Sequence, residues 1–257
     1  MIRRFKYSKG SLVASVIVLA VAVGSTLAVS VRRLTTPTPP IQNDLKQQRG
    51  QEDLKQHFPL VNYPEDEPSD PAERVRRQKK ARKYNVKTRV VGPELVQTAE
   101  GYHWPAGFPT LPVAASDVII VGKISKAAAH LSEDQNSVYS ELTVDVETVL
   151  KNATNVTLPN SVVVERKGGR VRYPSGHESW FFVIGQGLPE LGHTYVLFLT
   201  TPDGDDSFNI VTGYDLQNGV VEPLDYSPGV VHFERYSGVG ASALINDIRS
   251  ELSKPQP

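Results

Sequence analysis

Apolar side chains along this chain fall into three regimes. From Ser11 to Val31, SLVASVIVLAVAVGSTLAVSV, they run with no charge among them. From Leu34 to Glu100 they are sparse and follow no sustained period of either 2 or 3.6. From Gly101 onward they return in short runs separated by turn residues. The clearest run is Ser137–Leu150, where Leu142, Val144 and Val146 share one face and Thr143, Asp145 and Glu147 the other, the period of a half-buried strand. DVIIVGKI (117–124), SVVVERK (161–167), WFFVI (180–184), TYVLFLT (194–200) and FNIVTGY (208–214) read as further strands, TYVLFLT being apolar enough to be central. Asn218-Gly219 between apolar residues signals a hairpin. Leu244, Ile245, Ile248 and Leu252 recur at helical spacing over 242–252, with Ser242 as the expected N-cap and Pro255 beyond the end. Residues 101–257 are therefore expected to form an all-β domain with a C-terminal helix. Six or seven short strands suit a small closed or nearly closed β-barrel, and a β-sandwich is the competing layout.

The uncharged run has the length of a membrane span. Its 21 residues would make a helix of roughly 31 Å, close to the hydrocarbon thickness of a bilayer. Residues 1–10, MIRRFKYSKG, carry Arg3, Arg4, Lys6 and Lys9 and no acid. A basic flank stays cytoplasmic. The expected arrangement is a cytoplasmic tail over 1–10, a transmembrane signal-anchor over 11–31 and everything later outside the cytoplasm, in a single-pass protein of the inner (plasma) membrane. The alternative is a cleaved signal cut after Ala28-Val29-Ser30, which would release a secreted protein.

Residues 32–100 are expected to be a disordered, Pro-rich and basic linker. Prolines at 37, 39, 40, 59, 64, 68 and 71 oppose regular structure, and few apolar side chains offset the loss of backbone entropy, most clearly over Leu34–Asp70. Pro71–Tyr84 is rich in helix formers, but Val75 is nearly its only apolar residue, so no face is expected to dock it.

Charge sharpens this division. The formal net charge of zero is a cancellation: residues 1–100 carry 18 Lys and Arg against 10 Asp and Glu (18 − 10 = +8), and residues 101–257 carry 10 against 18 (10 − 18 = −8). Nine of the cations fall between Arg74 and Arg89 with no acid among them. Such a run reads as a solvated segment kept extended by its charge, and contact with anionic lipid or an envelope polymer is the alternative. Nucleic acid is not expected as a partner, because topology places the run outside the cytoplasm and Tyr84 alone is available to stack on bases.

The succession SDVIIVGKI, YSELTVDVETVLKN, SVVVERKGG and LPELGHTYVLFLT, followed by a glycine-containing strand and a hairpin, resembles a group of uncharacterised bacterial extracytoplasmic domains related in outline to OB-fold and netrin-like barrels. GGRVRYPSG (168–176) and GQGLPELGHTYVLFL (185–199) are most similar to an acidobacterial branch of that group. The resemblance spans roughly 116–223 and implies an OB-like or netrin-like barrel, with no catalytic set attached. Netrin-like inhibitors act through an N-terminal Cys against a metal; this chain has no Cys, so that activity does not carry over.

The absence of Cys also excludes disulfides, thiolate metal sites and thiol nucleophiles. Histidines at 57, 103, 130, 177, 193 and 232 form no HxH, HExxH or HxxxH pair. Ser179, His177 and Asp225 could assemble a non-local triad, though no GxSxG elbow is present. Asp203, Asp205 and Asp206 lack the spacing of a calcium loop, and Asn152 and Asn155 fit glycosylation acceptors read here as loop polarity. No residue pattern implies a cofactor. Arg166, Lys167, Arg170 and Arg172 surround Gly168-Gly169 in an otherwise acidic domain, with His177 nearby. If 161–167 and 170–173 pair as a hairpin, Arg170 and Arg172 share a face, and planar guanidinium groups there suit an anionic ligand or partner. Pairing of these arginines with Glu165 and Glu178 is the alternative. The functional expectation is a membrane-tethered, extracytoplasmic binding or interaction module. An envelope hydrolase with a non-local site, and a structural component of a surface or secretion assembly, are the alternatives.

Overall fold

The computed structural model describes residues 57–86, 97–102, 104–154, 157–201, 207–227 and 229–254. Its elements run β1 (Leu60–Asn62), α1 (Pro71–Lys83), β2 (Gln97–Gly101), β3 (Val118–Leu131), β4 (Val138–Asn152), β5 (Ser161–Lys167), β6 (Gly169–Arg172), β7 (Glu178–Ile184), β8 (Thr194–Thr200), β9 (Phe208–Asp215), β10 (Glu222–Pro223) and α2 (Ala241–Leu252). The protein is thus mostly β, with a C-terminal helix.

β3 and β4 form a long antiparallel hairpin, with Val118 opposite Asn152 and Leu131 opposite Val138. Register shifts at Ile119/Ile120, Val121/Gly122 and Ile124/Lys126 bend it, since each offsets the pairing by a residue and increases the local twist. β4 pairs with β5, β5 runs parallel to β9 through Val164 and Glu165, β9 pairs with β8, and β8 returns to β3. Each of these five strands therefore has a hydrogen-bonded neighbour on both sides. β10 adds to β9 by way of the expected hairpin, whose turn holds Asn218 at φ 57°.

Alternation sorts the side chains of β8. Tyr195, Leu197 and Leu199 pack with Val118, Ile120, Ile124, Leu142, Val144, Val162, Val164 and Ile210. Val196 and Phe198 pack on the other face with Ile119, Val121, Trp104 and Phe233, and with Leu244 and Ile248 of α2. A strand covered on both faces loses its polar positions, which is why TYVLFLT reads as continuous apolar sequence. The N-cap of α2 is Gly240, two residues before the expected Ser242, which lies inside the helix.

A second sheet, ordered β1-β6-β7-β2, covers the far half of the β3–β4 hairpin. Val61, Val171 and Phe181 from it pack on Ala129, Leu131 and Val138. Here the expected pairing of 161–167 with 170–173 is corrected. β6 pairs instead with β7 and with β1, and β5 stays with β4. Gly168 (φ +125°) and Gly169 (φ +149°) carry the chain from one sheet to the other. A Cβ on Gly169 would stand 2.7 Å from Val138 Cγ1, so this crossing needs glycine for both conformation and space.

The linker expectation is also corrected where the structure describes it. β1, α1 and all of β2 but Gly101 lie within residues 32–100 and are part of the fold, β1 and β2 pairing in parallel with β6 and β7. The expected tail, the anchor over 11–31 and the rest of that linker lie outside the described residues. Among the described residues no helix is long and apolar enough to cross a membrane.

Candidate functional site at the basic helix

α1 begins at Asp70, whose carboxylate accepts from Ala72 N at 3.0 Å, with Pro71 in its first turn. Its sequence offers no apolar stripe, and Val75 is 67% exposed. It is nevertheless docked: Lys80 and Ala81 are buried against the β3–β4–β5 face. α1 has no apolar face to dock, and charge supplies the contact instead.

The acids that receive it are placed by strand alternation. On β4, Leu142 and Val144 face the core, so Tyr139 and Glu141 face outward; on β5, Val162 and Val164 face the core, so Glu165 faces outward. Glu141 and Glu165 are direct cross-strand partners. Two carboxylates so placed repel each other unless a cation stands over both. Lys80 does so, with Nζ 2.6 Å from Glu141 and 3.9 Å from Glu165, while Lys83 also binds Glu165.

From Glu141 the chain of charges continues. His130 Nε2 is 3.8 Å from Glu141, His130 Nδ1 is 2.6 Å from Glu65, and Arg77 donates to Glu65 at 2.9 Å. Glu65 also accepts from Leu131 N at 2.8 Å. Arg77, Glu65, His130, Glu141, Lys80, Glu165 and Lys83 thus follow one another along one path. At the centre lies the Tyr139 ring, stacked on Tyr84 at 4.4 Å between centroids and 5.3 Å from His130. Burial pushes the Tyr139 phenol well above its ordinary range, with Glu141, Glu65 and Glu165 adding to the shift and Arg77 opposing it. Its hydroxyl is buried with no hydrogen-bond partner among the described residues.

The β3–β4 turn grips the C-terminal end of the helix. Arg82 donates to Glu133 at 2.7 Å, Asn85 accepts from Asp134 N at 3.0 Å, and Val86 N donates to Asp134 at 3.0 Å. The Arg82 hydrogen bond lowers the Glu133 pKa against a partial desolvation penalty. For Asp134, desolvation raises the pKa, and hydrogen bonds from Ser132, Asn136 and Val86 outweigh it, leaving it lowered. A polar cleft lies beside this grip, lined among others by Glu65, Glu67, Arg74, Arg77, Ser132 and Glu133.

The site expected from sequence is divided among three places. Arg166 is buried and binds Asp225 through both guanidinium nitrogens, at 2.7 and 2.8 Å, and also donates to the carbonyls of Gly187 and Val211. Lys167 binds Glu100 beside β2. Arg170 and Arg172 share Glu178, at 3.3 and 2.7 Å, so their expected common face exists but is occupied by an acid. His177 stacks near Tyr173, 6.3 Å between centroids. Of the possible triad, Asp225 is taken up by Arg166 and by Gly187 N at 2.9 Å. Asp203, Asp205 and Asp206 lie outside the described residues, among which no group of three His, Asp or Glu side chains is placed to hold a metal.

Glu141, Glu65 and Tyr139 are not singled out by the sequence; Lys80 enters there only within the basic run, Glu165 only as a partner for the arginines, and His130 only among the histidines. The available signal was the outward parity of Glu141 and Glu165 on two strands that both alternate cleanly, together with the opposite charges of the two halves of the chain. Comparison with protein-family models and with curated proteins finds no match.

Proposed function

We propose that this protein is a membrane-tethered extracytoplasmic interaction module whose β body is a ligand platform of the OB type. The tether rests on the uncharged run Ser11–Val31 and its basic flanks. Support for the barrel outline comes from the ring of pairings β3–β4–β5–β9–β8–β3, with one parallel contact between β5 and β9. Barrels of the OB type use a strand face and its adjoining loops to hold ligands.

The observation that carries the reading is the docking of α1 itself. A strand face made of Glu141, Glu165 and Tyr139 already holds a helix with seven Lys and Arg, by ion pairs and one ring stack. Binding charged segments is thus something this face does within its own chain.

The test is carbonate extraction of native membranes, followed by crosslinking and pull-down of the full chain. The reading expects the chain in the carbonate-resistant pellet and discrete crosslinked envelope partners. A carbonate-soluble chain of full length, or a resistant one that crosslinks to nothing, contradicts it.

A further inference from the structure

We propose that α1 is an electrostatic strap whose cations exchange between the acidic β3–β4–β5 face and an anionic phospholipid surface. The proposal rests on the tether reading above, which keeps α1 close to a bilayer.

Three observations carry it. First, α1 is held by charge: Lys80 meets Glu141, Arg82 meets Glu133, Lys83 meets Glu165, and Arg77 meets Glu65, which itself accepts from Leu131 N of β3. Only Lys80 and Ala81 are buried along its length, so little apolar surface resists its departure. A sheet of phosphodiesters offers the same cations equivalent partners, and attraction of this kind is screened by salt in both settings.

Second, the docked helix keeps an outward side. Ala72, Val75, Arg76 and Lys79 are exposed at helical spacing, and the Arg82 side chain is 66% exposed. A membrane can therefore make first contact with the strap while it is still docked.

Third, departure uncovers something. Glu141 and Glu165 lose the cations between them, and the Tyr139 ring loses its Tyr84 cover. The face left behind is an acidic one with an aromatic centre, complementary to a basic partner segment.

The chain has no Cys, so two introduced thiols take spin labels at those positions alone. Val75→Cys on the exposed side of α1 and Asn246→Cys on the exposed side of α2 leave the docking contacts intact. The full chain is placed in nanodiscs of phosphatidylcholine, or of phosphatidylcholine mixed with phosphatidylglycerol, and the label separation is measured. The proposal expects one separation in phosphatidylcholine and about a tenfold rise in a second, displaced population with phosphatidylglycerol. Glu133→Gln, which removes the Arg82 contact at the β3–β4 turn, should raise the displaced population in phosphatidylcholine as well. An inserted chain whose separations are identical in both lipids overturns the proposal and leaves the tether reading standing. Displacement by soluble inorganic polyphosphate but not by phosphatidylglycerol overturns it too, in favour of a polymer partner. A chain that does not enter nanodiscs overturns the tether reading, and this proposal with it.

Discussion

Arg166 and Asp225 meet inside the protein with both guanidinium nitrogens engaged, and Gly187 ties the pair to the segment after β7. Removing one partner of such a pair strands the other charge, so Asp225→Ala should lower stability by about 3–5 kcal/mol in urea denaturation. The cation cluster around Gly168 was visible in the sequence, but its use was not. Arg166 shares the parity of Val162 and Val164 and turns inward, whereas Lys167 shares that of Glu165. Strand alternation alone separates these two neighbours, and no property of Arg or Lys as residue types reveals it. Gly122 is a second residue whose role only the fold discloses. A Cβ there would stand 2.6 Å from Val144 Cγ1 and 2.7 Å from the Asp145 carbonyl, at one of the bends of β3. Gly122→Ala should cost roughly 1–3 kcal/mol by the same measurement.

Among elements, β8 and α2 were legible because their apolar periods are strong, and α1 was not because its contact is made of charges. Leu244 is fully buried beneath α2, so Leu244→Ala should destabilise the protein by about 2–5 kcal/mol. β3 and β4 extend further than their apolar patterns suggest. Lys126–Leu131 has three alanines and little β-propensity, yet Ala129 and Leu131 are held as strand by Val61, Val171 and Phe181 of the covering sheet. The grip on the C-terminal end of α1 depends on pH. Glu133 and Asp134 have folded-state pKa values below their ordinary 4.5 and 3.8. Their stabilising contribution is therefore complete above that range and is lost as pH falls through it and below. An acid titration followed through the chemical shift of the Val86 amide should show the grip loosening below about pH 4, with no change between pH 6 and 8.

At the scale of the whole molecule, the opposite charges of the two halves of the chain become one interface. Residues 1–100 and 101–257, +8 and −8 by sequence, meet in part along α1, and the neutrality of the whole is in part the neutrality of that contact. Exposed ion pairs contribute roughly 0–1 kcal/mol each and weaken with salt. The pair of Arg82 with Glu133 is of this kind, whereas Lys80 is buried with Glu141 and Glu165 and is screened much less. The apolar clusters behind β8 and within the strand ring depend on no such balance. The two parts of the protein should therefore separate in their response to ionic strength. Amide hydrogen exchange of the full chain at low and high salt measures this directly. The account predicts that the amides of Pro71–Lys83 lose protection as salt rises while those of β3, β4 and β8 keep theirs. Protection of α1 that equals that of β8 and does not change with salt would contradict it.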